Sequence, residues 1–340
     1  MDNKQSDIEP VNSLANGLLS KTICRYDKTA YRQHCSHEES LPLFVRDWWL
    51  DITCGDDWDA LIIEENGCIA ASMPVYLPAK GIVSMPSYTQ TMGPWFATES
   101  DDTKYSRFIA KRQAMCKLFI DKLDGCSHFL QNFSHEFTDW LPFYWAGYQQ
   151  TTRYTYLLDS IKDIDRLWQQ MNANIRRNID KAQRKHGLTV RKGVPIADLF
   201  QVQQQTFERQ QLRNKQNQHT LEQLILHARE RQQGEIWGAY DEKGNLHAAV
   251  FIAWQESCAY YIAGGANTQL RDSGAHSLVM WEAIREVSHY TDAFDFEGSM
   301  LPGVERFFRE FGGIQTPFFT ITKGGQPCLL FRIRRKLKNR

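Results

Sequence analysis

Glu235-Ile236-Trp237-Gly238-Ala239-Tyr240, then Lys243-Gly244-Asn245, then Leu246-His247-Ala248-Ala249-Val250-Phe251-Ile252, is the stretch that decides the fold. Two apolar, β-rich runs around a glycine turn read as a hairpin. The same order stands earlier in the chain: Asp59-Ala60-Leu61-Ile62-Ile63, Glu65-Asn66-Gly67, then Cys68-Ile69-Ala70-Ala71-Ser72-Met73-Pro74-Val75. Both copies carry an apolar strand, a glycine turn and a second strand with paired alanines.

The correspondence continues outward from the hairpins, which marks an internal repeat. Each hairpin is followed by a loop and a helical segment, Tyr105–Leu123 and Ser277–Val287. A short aromatic strand comes next, Phe129–Phe133 and Phe294–Phe296, then an amphipathic stretch ending in glycine, Leu141–Gly147 and Val304–Gly312. The closing strands share wording: Gln150-Thr151 before Tyr154-Thr155-Tyr156, and Gln315-Thr316 before Phe319-Thr320-Ile321. Six elements in one order predict an α/β (α+β) chain of two tandem domains, each a mixed, mostly antiparallel sheet flanked by helices. The expected division is 1–150, 151–325 and a basic C-terminal segment 326–340 whose strand Cys328–Ile333 could return to the first domain.

The second half opens on a strand, Arg153–Leu158. A single helix is expected from Ile164 to about His186, stopped by Gly187. Helical stretches follow at Ile196–Gln211 and Leu221–Gln233, separated by a Gln- and Asn-rich segment, Gln210–His219, that reads as a mobile loop.

Bulk properties narrow the function classes. The chain has 340 residues with 40 Lys+Arg against 40 Asp+Glu, so it lacks the basic excess of a dedicated DNA binder. The eight cysteines contain no C-x-x-C pair, which suits reduced thiols in the cytoplasm. The polar, acidic start Met1–Pro10 does not resemble a signal peptide, and no run is long and apolar enough to span a bilayer. His34-Cys35-Ser36-His37 has no partner cluster at ligand spacing, so no metal is expected. The basic end Arg332–Arg340 reads as a solvated tail, with RNA or an acidic membrane surface as the competing use.

The chemistry is expected where Ala259-Tyr260-Tyr261-Ile262-Ala263, a strand, meets Gly264-Gly265-Ala266, which should end it. The loop Arg271-Asp272-Ser273-Gly274-Ala275-His276 then opens the helix at Ser277. A glycine turn into a helix N-terminus aims backbone N–H groups at one point, where a phosphate can sit. On that reading a carboxylate introduced at Gly274 would occupy the cradle.

With R-x-x-G-x-x before a helix, this order resembles the GNAT acyltransferase superfamily, whose pyrophosphate motif is Q/R-x-x-G-x-G/A. Arg271 and Gly274 match, and His276 stands where a small residue is usual. The duplication is similar to FemAB-like and CelD/BioF-type tandem domains. Asn174-Ile175-Arg176-Arg177-Asn178-Ile179-Asp180-Lys181-Ala182 resembles their R-x-x-I-x-K-A helix, and Phe294-Asp295-Phe296-Glu297-Gly298, Gly303-Val304-Glu305-Arg306-Phe307-Phe308 and Phe311-Gly312 resemble their ending. The resemblance implies acyl-CoA as co-substrate, held by Arg271, Gly274, Ala275, His276 and Ser277. A backbone N–H at Tyr261, Ile262 or Ala263 would then polarise the thioester carbonyl.

Glu297 follows the strand Phe294–Phe296 at the end expected to face the gap, so it is the first candidate for the base that deprotonates an amine, with Asp295 second. The competing use of Glu297 is as a cap of the next turn. Tyr260 and Tyr261 point to opposite faces of their strand. One should reach the cleft, as proton donor or as a wall for the acceptor, unless both are core. Arg176, Arg177 and Lys181 are candidates to clamp an anionic acceptor, against the plainer reading of a solvated basic helix end.

The expected activity is direct N-acyl transfer from acyl-CoA to an amine on an amino-sugar or peptide precursor of cell envelope or polysaccharide. The alternatives are FemAB-type aminoacyl transfer from charged tRNA to a peptidoglycan precursor, and a non-catalytic binding protein that keeps the fold.

Overall fold

The computed structural model describes residues 22–98, 103–209 and 217–325. The acidic start, most of the Gln-rich loop, the strand Cys328–Ile333 and the basic tail lie outside the described residues. No described helix is long and apolar enough to cross a membrane.

The first half runs β1 (Ile23–Tyr26), α1 (Lys28–His37), α2 (Asp47–Cys54), β2 (Trp58–Glu65), β3 (Cys68–Ala79), β4 (Ile82–Ser84), β5 (Trp95–Phe96), α3 (Tyr105–Lys122), β6 (His128–Phe133), α4 (Leu141–Trp145) and β7 (Gln149–Leu158). The second runs α5 (Ile164–Gln170), α6 (Ala173–Asp180), β8 (Thr189–Lys192), α7 (Ile196–Arg209), α8 (Gln218–Glu230), β9 (Gly234–Tyr240), β10 (Leu246–Trp254), β11 (Cys258–Ala266), α9 (Ala275–Val287), β12 (Ala293–Asp295), α10 (Pro302–Glu310) and β13 (Ile314–Lys323).

Both hairpins form as expected. The β2–β3 turn holds Asn66 and Gly67 at φ 53° and 82°, the double left-handed geometry that lets a two-residue turn follow the twist of its strands. In the β9–β10 turn the Asp241 carboxylate accepts the N–H groups of Lys243 and Asn245 at 3.0 and 2.8 Å.

All the described strands belong to one sheet, ordered β1-β2-β3-β4-β6-β13-β7-β12-β11-β10-β9-β8, with β5 attached to β3. The two halves exchange their closing strands: β7, from the first, pairs with β12, and β13, from the second, pairs with β6. The expected boundary at 150/151 therefore falls inside a strand that serves both halves. Across the centre β7 and β13 run antiparallel from Gln149↔Thr322 to Leu157↔Ile314.

Each half also has one parallel pair. In the second, Cys258↔Ala293, Ala259↔Phe294 and Tyr260↔Asp295 are joined, and there the two strands part company: β12 ends at Asp295 while β11 runs on to Ala266, unpaired on that side among the described residues. In the first, Ile82↔His128 and Val83↔Phe129 are joined. Beyond them the chain itself returns: Met92 bridges to Phe133, its N–H donating to the Asn132 carbonyl at 2.7 Å. Gly93, at φ 93°, lies flat on the Phe133 ring, where a Cβ would come within 2.5 Å of Cδ1. The first gap is plugged and the second is open.

Two expectations are corrected. The helix foreseen over Ile164–His186 is two helices, α5 and α6, followed by a π-turn over Lys181–Lys185. Asn172 breaks it by accepting the Asn174 N–H at 2.8 Å, an N-cap that competes with continued helix. The glycines expected to end the strand at Gly264 lie inside β11, which continues to Ala266.

The second half packs apolar side chains on both faces of its strands. Ile175, Ile179, Leu278, Val279, Phe294, Phe296, Phe308 and Phe311 form one core beneath α6, α9 and α10. Leu199, Val202, Leu224, Phe251 and Ile262 form the other beneath α7 and α8, joined by Phe44 and Trp49 of the first half. Burying each such side chain contributes about 1.5–3 kcal/mol.

Candidate active site

Strand alternation sorts the candidate residues onto two faces. Tyr261 turns toward the α9–α10 face and Tyr260 toward the opposite one, where it meets Phe44 edge-on at 4.7 Å. The register of β11 against β10 shifts so that Phe251 faces Ala263 and Ile252 faces Tyr261, which leaves Ile262 as the extra residue of a bulge. Ile262 and Ala263 therefore both bury their side chains on the α7 side. Gly264, next along, supplies the space under the Tyr261 hydroxyl: a Cβ there would lie 2.5 Å from it.

On the Tyr261 face a cleft of about 630 Å³ opens between the end of β11 and α10. Tyr261, His276, Val304, Phe307 and Phe308 wall it, and Arg209 and Arg271 stand at its edge. The His276 ring sits edge-on to Phe307 at 5.2 Å and to Tyr261 at 6.3 Å. Burial holds the imidazole down at about 4, against an opposing hydrogen bond to the Gly265 carbonyl, so it is neutral near pH 7. Burial, helped by the nearby Glu297, raises the Tyr261 phenol. Glu297 is itself raised well above the ordinary carboxylate range, first by burial and then by Asp295. Its Oε1 is buried without a hydrogen-bond partner, and its backbone is left-handed at φ 59°. A carboxyl with one buried, partnerless oxygen on a left-handed turn keeps Glu297 a candidate for proton exchange.

Asp295 lies on the opposite face, 2% exposed. It accepts hydrogen bonds from the Thr155 hydroxyl and from the Glu297 N–H, the latter at 2.7 Å. Burial raises its carboxyl to about 6. With Tyr260 it lines a second cleft of about 440 Å³ between the halves, whose other wall includes Gln90, Trp95, Phe96 and Glu136. Candidate residues expected in one site thus stand on both sides of the sheet, around the point where β11 and β12 part.

The loop before α9 differs from the expected cradle. Gly274 adopts φ 81°, and a Cβ on it would run into the backbone carbonyl of Asn178 in α6. The Ala275 N–H donates to Ser273 Oγ at 3.4 Å, and the Ser277 side chain is buried. Ser273 in turn contacts His247 Nδ1 at 3.0 Å, and His247 Nε2 faces Asp241 at 3.5 Å. Ser273 is 3% exposed, so this Ser–His–Asp chain braces the loop from within. Arg271 is exposed and pairs with Asp272 at 3.7 Å.

Asn178 places α6 against that loop, so Arg177 and Lys181 flank it on either side in sequence. Arg177 is exposed, Arg176 and Lys181 are half-buried, and none of the three forms an ion pair among the described residues. Sequence reasoning did not find Arg209, which ends α7 as an ordinary surface cation would, nor Gln90 and Thr155, which reach Asp295 from distant segments.

Residues 169–309 match the family model of an acetyltransferase (GNAT) domain. The backbone is similar to the crystal structure of FemX, with a TM-score of 0.64 at 12% identity, covering 94% of this chain and 100% of that one. It is similar to the C-terminal domain of a putative lysylphosphatidylglycerol synthetase from Agrobacterium fabrum, with a TM-score of 0.51 at 13% identity over 79% and 85% of the two chains. A tandem GNAT protein from the clavulanic acid biosynthesis pathway gives 0.50 at 11% identity over 91% and 100%. At such identities these likenesses establish the fold. No curated protein matches the sequence.

Proposed function

We propose that this chain, a GNAT acyltransferase with a FemAB-like tandem fold, moves an acyl group from acyl-CoA to an amine on an amino-sugar or peptide precursor. The observation that carries this reading is the parting of β11 and β12 beyond Tyr260 and Asp295, with a bulge at Ile262 beside an apolar cleft. Tyr261 and His276, which wall that cleft, and Glu297, close enough to raise the Tyr261 phenol, are all held toward their neutral forms, while Arg209 and Arg271 stand at the edge. A neutral channel with cations at its mouth suits a pantetheine arm that trails phosphates.

In this reading a backbone N–H of the Tyr261–Ala263 bulge donates to the thioester oxygen as it gains charge. Glu297, in its ionised fraction, takes the proton that the attacking amine loses, directly or through a water, its raised carboxyl making that carboxylate the stronger base; Tyr261 gives a proton to the departing thiolate and regains one by way of the protonated Glu297. Asp295 holds the Glu297 backbone through its 2.7 Å hydrogen bond. The acceptor approaches from the cleft between the halves, where Trp95 and Phe96 offer flat apolar surface and Asp295 and Glu136 attract an ammonium. Arg176, Arg177 and Lys181 are left for the anionic part of a ligand reaching the α9 loop.

A second reading, aminoacyl transfer from charged tRNA, draws support from the loop itself. The Asn178 carbonyl abuts Gly274 and the His276 ring turns into the cleft, which crowds the place where a pyrophosphate would sit.

Calorimetric titration of acetyl-CoA and coenzyme A separates the two. Gly303 lines the cleft and a Cβ there would meet nothing within 4 Å, so Gly303→Trp is placed to fill the mouth. Saturable binding by the native protein that Gly303→Trp abolishes, with unchanged Tm, is expected. No binding by the native protein would overturn the thioester reading and favour the tRNA one.

A further inference from the structure

The plug of the first gap does more than close it. Its strand-like bridge at Met92 is anchored by Asn132, whose Nδ2 donates to the Gln90 carbonyl at 2.9 Å and whose Oδ1 accepts the Thr320 hydroxyl at 2.7 Å. Upstream, the Trp49 indole N–H donates to the Tyr88 carbonyl and the Thr89 hydroxyl, both at 3.2 Å. Tyr88 sits at φ 55°, unusual for a bulky residue, and its ring joins the second half's core. Gln90 is thus gripped from both sides, and its side chain points away from the first half. Its Nε2 reaches Thr155 Oγ1 at 3.2 Å, and Thr155 donates to Asp295.

The repeat explains what these residues are. Across the shared centre Thr155 and Thr320 are equivalent positions. Thr320 bonds Asn132 of β6, the residue directly opposite it. Extending the register of β7 with β12 puts Thr155 opposite Glu297. Asn132 therefore occupies in the first half the position of Glu297 in the second. The first half has an amide where the second has the free carboxyl, and a stretch of its own chain where the second has a cleft.

We propose that the segment Met85–Pro94, having filled the first half's gap, serves the second half as a positioning element, with Gln90 holding the Thr155–Asp295 pair at the point where β11 and β12 part. The proposal rests on the acyl-transfer reading for its purpose and on the hydrogen bonds alone for its geometry. Gln90 adds a dipole and no charge beside a carboxylate that also faces Cys258 and Tyr260 on β11, Glu297 just beyond the end of its own strand, and Glu136 and His135 across the cleft. An amide donor at that place favours the ionised carboxylate. The first half, with no open gap of its own, is kept because it supplies this contact and one wall of the acceptor cleft.

The test is a ¹³C-carboxyl NMR titration of protein labelled at aspartate, with the Asp295 resonance assigned by its loss in Asp295→Asn. In the native chain its midpoint is expected near 6, far from the bulk of the aspartates. Gln90→Leu should move the midpoint up by roughly one unit, and the isosteric Gln90→Glu, which adds a like charge, by more. Unmoved midpoints in both variants would overturn the proposal, and so would a shift shared by all aspartates. The titration uses neither donor nor acceptor. A shifted midpoint in a protein that fails to bind acetyl-CoA would sink the donor reading and leave the positioning role standing.

Discussion

Arg153 of β7 and Phe318 of β13 face each other in the middle of the sheet, and they are the same position of the repeat. The repeat aligns Gln150-Thr151 with Gln315-Thr316, hence Arg153 with Phe318, and the register pairs that couple directly. The two halves are related by a local two-fold axis through this pair, and each completes the other's sheet.

A chain cut after Gly313 would leave β6 and β7 with bare facing edges and would strip Ile321 from the first half's core. The expected result is loss of cooperative unfolding in both halves, not in the second alone. Circular dichroism melts with size-exclusion chromatography would check it. An intact, cooperatively melting first half would disprove the interdependence.

Gly274→Glu, which the sequence suggests as a probe of the phosphate cradle, should act on folding instead. Even Gly274→Ala sets a Cβ into the Asn178 carbonyl at a positive φ, costing roughly 2 kcal/mol or more. A Tm lowered by several degrees, with donor binding weakened only as far as unfolding explains, is the expected outcome. An unchanged Tm with selective loss of binding would restore the cradle reading.

Glu297→Gln should slow acyl transfer by on the order of a hundredfold. It should also change the pH dependence of stability. Because burial and Asp295 raise the Glu297 carboxyl in the folded state, the folded chain keeps a proton that the unfolded chain has released. That stabilisation is present below the unfolded value near 4.5 and is lost as pH rises toward the folded one. Between pH 5 and 8 the native Tm should therefore fall relative to that of Glu297→Gln. His276, held low, works in the opposite sense, losing its contribution as pH falls from about 6.5 toward 4, but it is common to both proteins. Parallel Tm curves would contradict the buried, protonated Glu297.

The hairpins were legible because Asn66-Gly67 and Lys243-Gly244-Asn245 state their turns in residue type. The break in the 164–186 helix was not, because Ile164, Leu167, Met171, Ile175, Ile179 and Ala182 keep helical spacing straight through it. Only the Asn172 cap interrupts the backbone, and one asparagine is a weak signal. Gly264 and Gly265 looked like a strand end. They are instead the places where the Tyr261 hydroxyl and the backbone of α7 come close. Glu297 and Tyr261 stand out as candidates in the sequence because one follows a recognisable strand and the other lies within one, whereas Gln90 was invisible: nothing in its neighbourhood encodes a partner 65 residues away. The split of Tyr260 from Tyr261 followed from alternation, but which cleft each would line needed the bulge at Ile262.

The position of β13 also sets a timetable. β6 and β7 leave the ribosome long before the strand that belongs between them, and at 5–20 residues per second the wait is on the order of ten seconds. Until then the middle of the sheet is a slot with two sticky rims, held open by a half-finished protein. Whatever shelters nascent chains in the cell has to guard that slot, and a synonymous change that slowed translation between β7 and β13 would lengthen the exposure without altering a single residue.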